Sequence, residues 1–259
     1  MPIHATAVVH PTASIHPEVE IGPFAVVGES VVIGARTRVG AHAVVDGPSV
    51  LGEDNVVHPH AAIGGPPQDL KYAGEPTRLI IGSRNVFREF MTVHRGTVTG
   101  HAETVIGDDN LFMAYSHVAH DCVVGSRTVF ANSASLSGHV VVEDDVILGG
   151  FVAVRQFCRV GRFAYVGGMT PVNKDVLPFT WTSSDRDTKA YKINGVGLSR
   201  KGYSAERVAS LQKAYRILHR NRHDHAAALS ALGELATSAP DVKVLLDFIT
   251  SSTAGVHGA

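Results

Sequence analysis

The chain has 259 residues, 44% of them hydrophobic, with a formal charge of −1 and two cysteines. Near-neutrality excludes a whole-surface nucleic-acid footprint. The N-terminus lacks a basic segment followed by a long apolar run, and no stretch of about 18 apolar residues occurs, so no signal peptide and no integral membrane segment is expected, and the default localisation is cytoplasmic.

From Val9 an aliphatic residue recurs at every sixth position through Ile15, Ile21, Val27, Ile33, Val39, Val45, Leu51, Val57 and Ile63. The period resumes at Ile81, Phe87 and Val93, and again from Ile106 through Val118, Val124, Leu136 and Val154 to Val172. Gly often follows at once, and the position four residues on is usually small or β-branched, as at Ala13, Ala25, Thr37 and Ala43. A fixed short period means a solenoid. Six residues are too few for a helical repeat but suit one short strand and one tight corner. Three units close a triangular coil, so residues eighteen apart stack at about 4.8 Å. The pattern resembles the hexapeptide-repeat β-helix family. That resemblance implies a left-handed coil, an exception to the right-handed crossover rule. The expected fold is mainly β: a left-handed parallel β-helix over 1–178, a connecting segment over 179–203 and a C-terminal α-helical domain over 204–259.

Two insertions interrupt the period, at 64–80 and 96–105. Ile63 and Ile81 are eighteen apart, which predicts a kept register with a whole coil's length replaced by loop. The second insertion shifts the register by one. Loops projecting from a rigid prism are natural places for binding residues. After Val172 the repeat fades, and Pro178 to Asn194 reads as irregular. Ser204 is placed to cap a helix presenting Val208, Leu211, Tyr215 and Leu218 on one face. Ala226 to Leu235 reads as a second helix, and Pro240 opens a third with Val242, Leu245, Leu246 and Phe248. Between Arg186 and Arg222 ten basic residues face two acidic ones, a local charge of +8. Such a segment is either a solvated helix face or a dock for an acidic or phosphate-bearing partner.

Cys122 and Cys158 occupy small inner positions two coils apart, roughly 10 Å at the strand spacing, so they read as core fillers and not as a disulfide. The densest chemistry is the run Ser116-His117-Val118-Ala119-His120-Asp121-Cys122, followed by Gly138-His139 and Gln156. Positions 120, 138 and 156 are eighteen apart and should lie on one line along the axis. His120 then stands next to Gly138, has Asp121 beside it to orient the ring, and has His117 and His139 close by. Imidazole is the side chain best matched to proton transfer near neutral pH. Clustered His also raises metal binding. The γ-type carbonic anhydrases share the β-helix, but the spacing of their two same-strand ligands is missing between His117 and His120, so no metal is expected.

Five segments carry a closer resemblance: Gln68-Asp69-Leu70-Lys71-Tyr72-Ala73-Gly74-Glu75-Pro76-Thr77, Val93-His94-Arg95-Gly96-Thr97, His117-Val118-Ala119-His120-Asp121-Cys122, Leu136-Ser137-Gly138-His139-Val140 and Gln156-Phe157-Cys158. They resemble the acyl-ACP–UDP-N-acetylglucosamine O-acyltransferase family, which begins lipid A synthesis. The resemblance implies that His120 is the general base for attack of the sugar 3-hydroxyl on an (R)-3-hydroxyacyl-ACP thioester. It implies that Asp121 orients His120 and that the Gly138 N–H stabilises the oxyanion. Gln68, Asp69, Lys71, His117 and His139 would hold the sugar and phosphates, and Gln156, Asn194 and Arg200 the nucleotide. Gly168 would set acyl length, with Met169 beside it. A homotrimer with clefts between subunits, acyl carrier protein as partner of the basic segment, and no cofactor beyond the phosphopantetheine of the donor are also implied.

Three features depart from the family pattern: Arg155 where a His is usual, Val196 where an acidic residue is usual, and Ser183 to Lys189 in place of a Gly-Asn-Pro-like turn. They leave the base intact but bear on nucleotide grip, acyl length and acceptor. Two alternatives therefore stand beside O-acylation. One is N-acylation of the 3-amino analogue of the sugar nucleotide with the same His. The other is a non-catalytic β-helix scaffold, which has no need of His120.

Overall fold

The computed structural model describes residues 3–184 and 188–258. Three stacks of short parallel strands form a triangular prism, the left-handed parallel β-helix expected. Face I begins at Val8–Val9 and ends at Pro171–Val172, face II runs from Ser14–Ile15 to Arg159–Val160, and face III starts at Glu20–Ile21. The chain visits them in that order, coil after coil. Two residues suffice for most strands because the first points out and the second points in: Val26 is exposed and Val27 buried. The inward residues stack in register, Val27 on Val45, Ile63 on Val93 and Val118 on Leu136. Inside face III the rings of Phe87, Phe112 and Phe130 follow one another at 5.2 and 4.8 Å, all fully buried. Cys122 and Cys158 are buried and free.

The first insertion differs from the sequence expectation. Ile81 does not lie above Ile63. It pairs with Leu51 on face II, while Val93 pairs with Ile63 on face I. No coil is replaced by loop. Leu51 and Ile81 stand thirty residues apart instead of eighteen, so twelve residues have been added inside one six-residue unit, and the sum imitates a coil. The second insertion adds seven residues in the next coil, where Ile81 pairs with Ile106. Strands Ala62–Gly65, Arg78–Ile81, Thr92–His94 and Glu103–Ile106 lengthen to support the loops, which narrow to 66–77 and 95–102. Both leave the prism at the corner between faces I and II.

The segment expected to be irregular is a hairpin. Thr180–Ser184 pairs parallel to Tyr165–Val166 and antiparallel to Thr188–Ile193, so it extends face III. The local cause is alternation: Thr180 and Thr182 are buried, and Trp181 turns outward onto Tyr165 at 4.9 Å. Residues 185–187 lie outside the described residues, so of the altered stretch only the pairs Ser183↔Lys189 and Ser184↔Thr188 are described, and Arg186 of the basic segment is not. A short helix follows, α1 (Gly195–Arg200), then α2 (Ala205–Arg220), α3 (His225–Ala236) and α4 (Pro240–Thr250). Ser204 caps α2 by accepting the Arg207 N–H, and Pro240 opens α4. Leu211, Ala214, Leu232, Val242, Leu245 and Phe248 are buried among the helices. Arg159 joins the domain to the prism: it lies 4.3 Å over the Phe248 ring, donates to the Phe248 carbonyl and contacts buried Asp175. Among the described residues no helix is long and apolar enough to cross a membrane.

The three corners carry different chemistry. Each turns on one residue with positive φ, usually not glycine. Between faces III and I the first five are Phe24, His42, His60, Phe90 and Tyr115, a column of parallel exposed rings about 5 Å apart, followed by Ser133, Phe151 and Met169. Between faces II and III six in succession alternate in charge, Arg36, Asp54, Arg84, Asp109, Arg127 and Asp145, before Phe163. Between faces I and II, beyond the two loops, they are Asp121, His139 and Phe157.

Candidate active site

The corner between faces I and II holds a cleft of about 1030 Å³. Gln68, Asp69 and Lys71 reach it from the first loop, His101 from the second, and His120, His139 and Gln156 from successive coils. The stacking inferred from the eighteen-residue spacing is present: the His139 N–H donates to the His120 carbonyl at 3.0 Å. Gly138 lies beneath the His120 ring. A Cβ there would stand 2.5 Å from His120 Cε1 and 2.7 Å from Nε2, so only glycine lets the imidazole occupy this place. Among the described residues the Gly138 N–H is recorded donating to no protein acceptor.

Asp121 is 1% exposed. Its Oδ2 contacts His120 Nδ1 at 2.8 Å. It also accepts the Thr97 hydroxyl at 2.6 Å, the Thr97 N–H at 3.0 and 3.1 Å, and the His101 N–H at 2.9 Å. Burial pushes this carboxyl up, but the Thr97 hydroxyl and amide, His120 and the His101 amide together hold it below the ordinary range. An ionised carboxylate only accepts hydrogen bonds, so His120 Nδ1 carries a proton, and in the neutral imidazole it is Nε2 that has the lone pair. The geometry fixes the tautomer that a general base requires.

His139 stands edge-on to His120 at 5.1 Å and stacks on Phe157 at 4.6 Å. Burial lowers its proton affinity, and the Asp121 charge works against that. Ligand atoms of His120, Asp121 and His139 lie within 4.8 Å of one another. Both oxygens of Asp121 are already engaged by Thr97, His101 and His120, which suits an orienting carboxylate better than a metal ligand. In the first loop the Asp69 side chain accepts the Lys71 N–H at 3.0 Å and shapes the turn that presents both residues.

Other expected residues lie elsewhere in the chain. His117 is on face I, outside the cleft lining, bound to Thr92 Oγ1 at 2.7 Å and edge-on to His94 at 5.0 Å; burial lowers its proton affinity. Asn194 caps α1, accepting the Gly197 N–H and donating to the Phe163 carbonyl, and Arg200 is exposed in the last turn of α1. Gly168 and Met169 sit at the corner between faces III and I, where the Met169 N–H donates to the Gly150 carbonyl and the side chain is exposed. None of these four lines the cleft. Sequence reasoning missed Thr97, Gly100 and His101 around Asp121, and Phe157, Arg159 and Thr253 in the lining. The signal available was the position of Thr97 and His101 in an insertion one coil before the His-Asp pair.

Residues 175–257 match the family model described as UDP-N-acetylglucosamine O-acyltransferase, domain 2, and 12–47 and 103–138 match the bacterial transferase hexapeptide model. A Stenotrophomonas maltophilia protein named acyl-acyl-carrier-protein–UDP-N-acetylglucosamine O-acyltransferase is 50% identical over 198 residues, 76% of this chain and 75% of its own. A Verminephrobacter eiseniae protein of the same name is 46% identical over 82% of each chain. Among solved structures, UDP-N-acetylglucosamine acyltransferase from Francisella novicida superposes with a TM-score of 0.96 at 35% identity, covering 98% of this chain and 93% of its own. LpxA from Acinetobacter baumannii gives 0.96 at 38% identity, covering 99% and 100%.

Proposed function

Since the chain belongs to the acyl-ACP–UDP-N-acetylglucosamine O-acyltransferase family, we propose that it transfers an (R)-3-hydroxyacyl chain from acyl carrier protein to the 3-hydroxyl of UDP-N-acetylglucosamine, the first step of lipid A biosynthesis, with His120 as general base. The observation that carries the mechanism is the His120–Asp121 pair, which puts a proton on Nδ1 and makes Nε2, beside Gly138 in the cleft, the nitrogen suited to accept one. Nε2 takes the proton of the sugar hydroxyl as its oxygen attacks the thioester carbonyl. The oxyanion forms against the Gly138 N–H. Collapse breaks the carbon–sulfur bond, and the proton on His120 passes to the leaving thiolate, so an ester replaces a thioester and the base is restored. Lys71, Asp69, Gln68, His139 and Gln156 all line the cleft; the first four suit the sugar and phosphates, and Gln156 the nucleotide. No bound cofactor enters the reaction.

A homotrimer accounts for the residues outside the cleft. Gly168, Met169, Asn194 and Arg200 reach a substrate only if a second copy brings its own corner to this one. The exposed rings of Phe24, Phe90 and Tyr115 supply apolar surface for such a contact. The basic stretch with Lys189, Lys192, Arg200 and Arg216 suits acidic acyl carrier protein, and a cytoplasmic location suits both substrates. The test is incubation with (R)-3-hydroxyacyl-ACPs of several lengths and with both the 3-hydroxy and 3-amino sugar nucleotides, His120→Ala in parallel, products read by mass. Acylated sugar nucleotide that disappears in the variant supports the reading and gives chain length and acceptor together. Product formed equally by the variant, or none from any pair, overturns it.

A further inference from the structure

The second insertion is folded around a single carboxylate. The Thr97 hydroxyl approaches Asp121 Oδ2 at 2.6 Å, the short distance of a hydrogen bond to an anion. Because the carboxylate cannot donate, Thr97 Oγ1 donates to it and receives the Thr99 hydroxyl at 3.0 Å. The Thr97 and His101 amides complete the cradle. The Thr97 carbonyl in turn accepts the N–H groups of Gly100 and Ala102 at 3.1 and 2.9 Å, which closes the loop on itself. At Gly100 a Cβ would stand 2.4 Å from the Asp121 carboxyl carbon. Thr97 is buried and is not itself among the residues that line the cleft, so substrate contact does not explain it.

We infer that Thr97 is a positioning residue for acyl transfer, acting through Asp121: its hydroxyl and amide hold the buried carboxylate ionised and aimed at His120 Nδ1, so that Nε2 remains the proton acceptor. The 95–102 loop is then part of the catalytic machinery and not only a wall of the cleft. This inference rests on the reading of His120 as base. The groups facing the pair are Thr97 and His101 from the loop, His139 from the next coil, His94 and His117 from face I, and Asp69 from the first loop.

A carboxylate that loses one donor becomes more basic and holds an imidazolium partner harder. Without the Thr97 hydroxyl the carboxylate is held less firmly toward Nδ1, so Thr97→Val should lower kcat about 10-fold, with KM for the sugar nucleotide within about two-fold. The acidic limb of the kcat/KM–pH profile should move to higher pH. Thr97→Ser should regain most of the turnover and return the limb. Gly100→Ala, which pushes on the carboxylate without removing any donor, should lower kcat with the same unchanged KM, and it carries the test if Thr97→Val fails to fold. An unmoved limb with normal kcat in Thr97→Val, no rescue by Thr97→Ser, or normal kcat in Gly100→Ala overturns the inference. His120→Ala assayed alongside separates the two claims: turnover in that variant means the base assignment itself is wrong, whereas an inactive His120→Ala with normal Thr97→Val removes only the role of Thr97.

Discussion

Two corners of the prism are built from the same six-residue unit and end in opposite states. Between faces II and III polar side chains form ladders that run from coil to coil. Inside, Asn55 Oδ1 accepts from Asn85, Asn85 Oδ1 from Asn110, and Asn110 Oδ1 from Thr128, all at 2.8–3.0 Å. Outside, Arg36 meets Asp54, Arg84 meets Asp109, and Arg127 and Lys201 meet Asp145. Between faces I and II two loops interrupt this regularity. Asp121 is again fully engaged, yet the network ends at His120 Nε2, open to the cleft. A repeat tends to close its own hydrogen bonds; at the corner with the insertions one imidazole nitrogen is left facing a cleft.

If that contrast is right, changes at the loop corner act on turnover and changes at the ladder corner on stability. His120→Ala should lower turnover at least about 100-fold, about 2.7 kcal/mol of barrier, with little change in the thermal midpoint. A comparable fall in both would blur the comparison. Next is a pH effect from face I. Burial holds His94 at about 4, helped by His117, His120 and Arg95, against an ordinary 6.5. His94 therefore stays neutral in the fold while the unfolded chain takes up the proton first. Its contribution is full above about pH 6.5 and is lost progressively toward pH 4, on the order of 3 kcal/mol in all. Buried His117 and His257 act in the same direction. His94→Phe should flatten the fall in thermal midpoint between pH 7 and 4.5, and an unchanged slope would remove His94 from the account.

Asn85→Ala leaves the backbone and side-chain N–H groups of Asn110 without their acceptor in a buried ladder. It should cost about 2 kcal/mol by denaturant titration with kcat unchanged at a temperature where the variant is folded. Lys71→Ala should raise KM for the sugar nucleotide about 10-fold, roughly 1.4 kcal/mol, with kcat nearly constant; an effect on kcat alone would argue against a binding role. The smallest expected change is Arg84→Ala. Despite its pairs with Asp108 and Asp109 it is half-exposed, so only a small fall in thermal midpoint is expected, shrinking as salt rises.

Much of this was legible by counting. The inward aliphatic column, the stacking of His120, Gly138 and Gln156, and the caps at Ser204 and Pro240 all follow from local period or local chemistry. Counting failed where the period did. The eighteen residues from Ile63 to Ile81 look like one coil because a twelve-residue insertion and a six-residue unit add to the same number. The strands Thr180–Ser184 and Thr188–Ile193 were hidden because the alternation spans only a few residues and the partner of the first, Tyr165–Val166, is distant in sequence.

The amino-acid sequence by itself determined the prism, its three faces and the pairing of His120 with Asp121, since a periodic chain stacks each residue on one a fixed number of places away. Only the tertiary structure decided that both loops leave at one corner and that Thr97 and His101 close over Asp121. It also decided which imidazole nitrogen of His120 is free. Those features rest on contacts between aperiodic segments and on which acceptors a buried carboxylate already satisfies, and neither is encoded in a spacing.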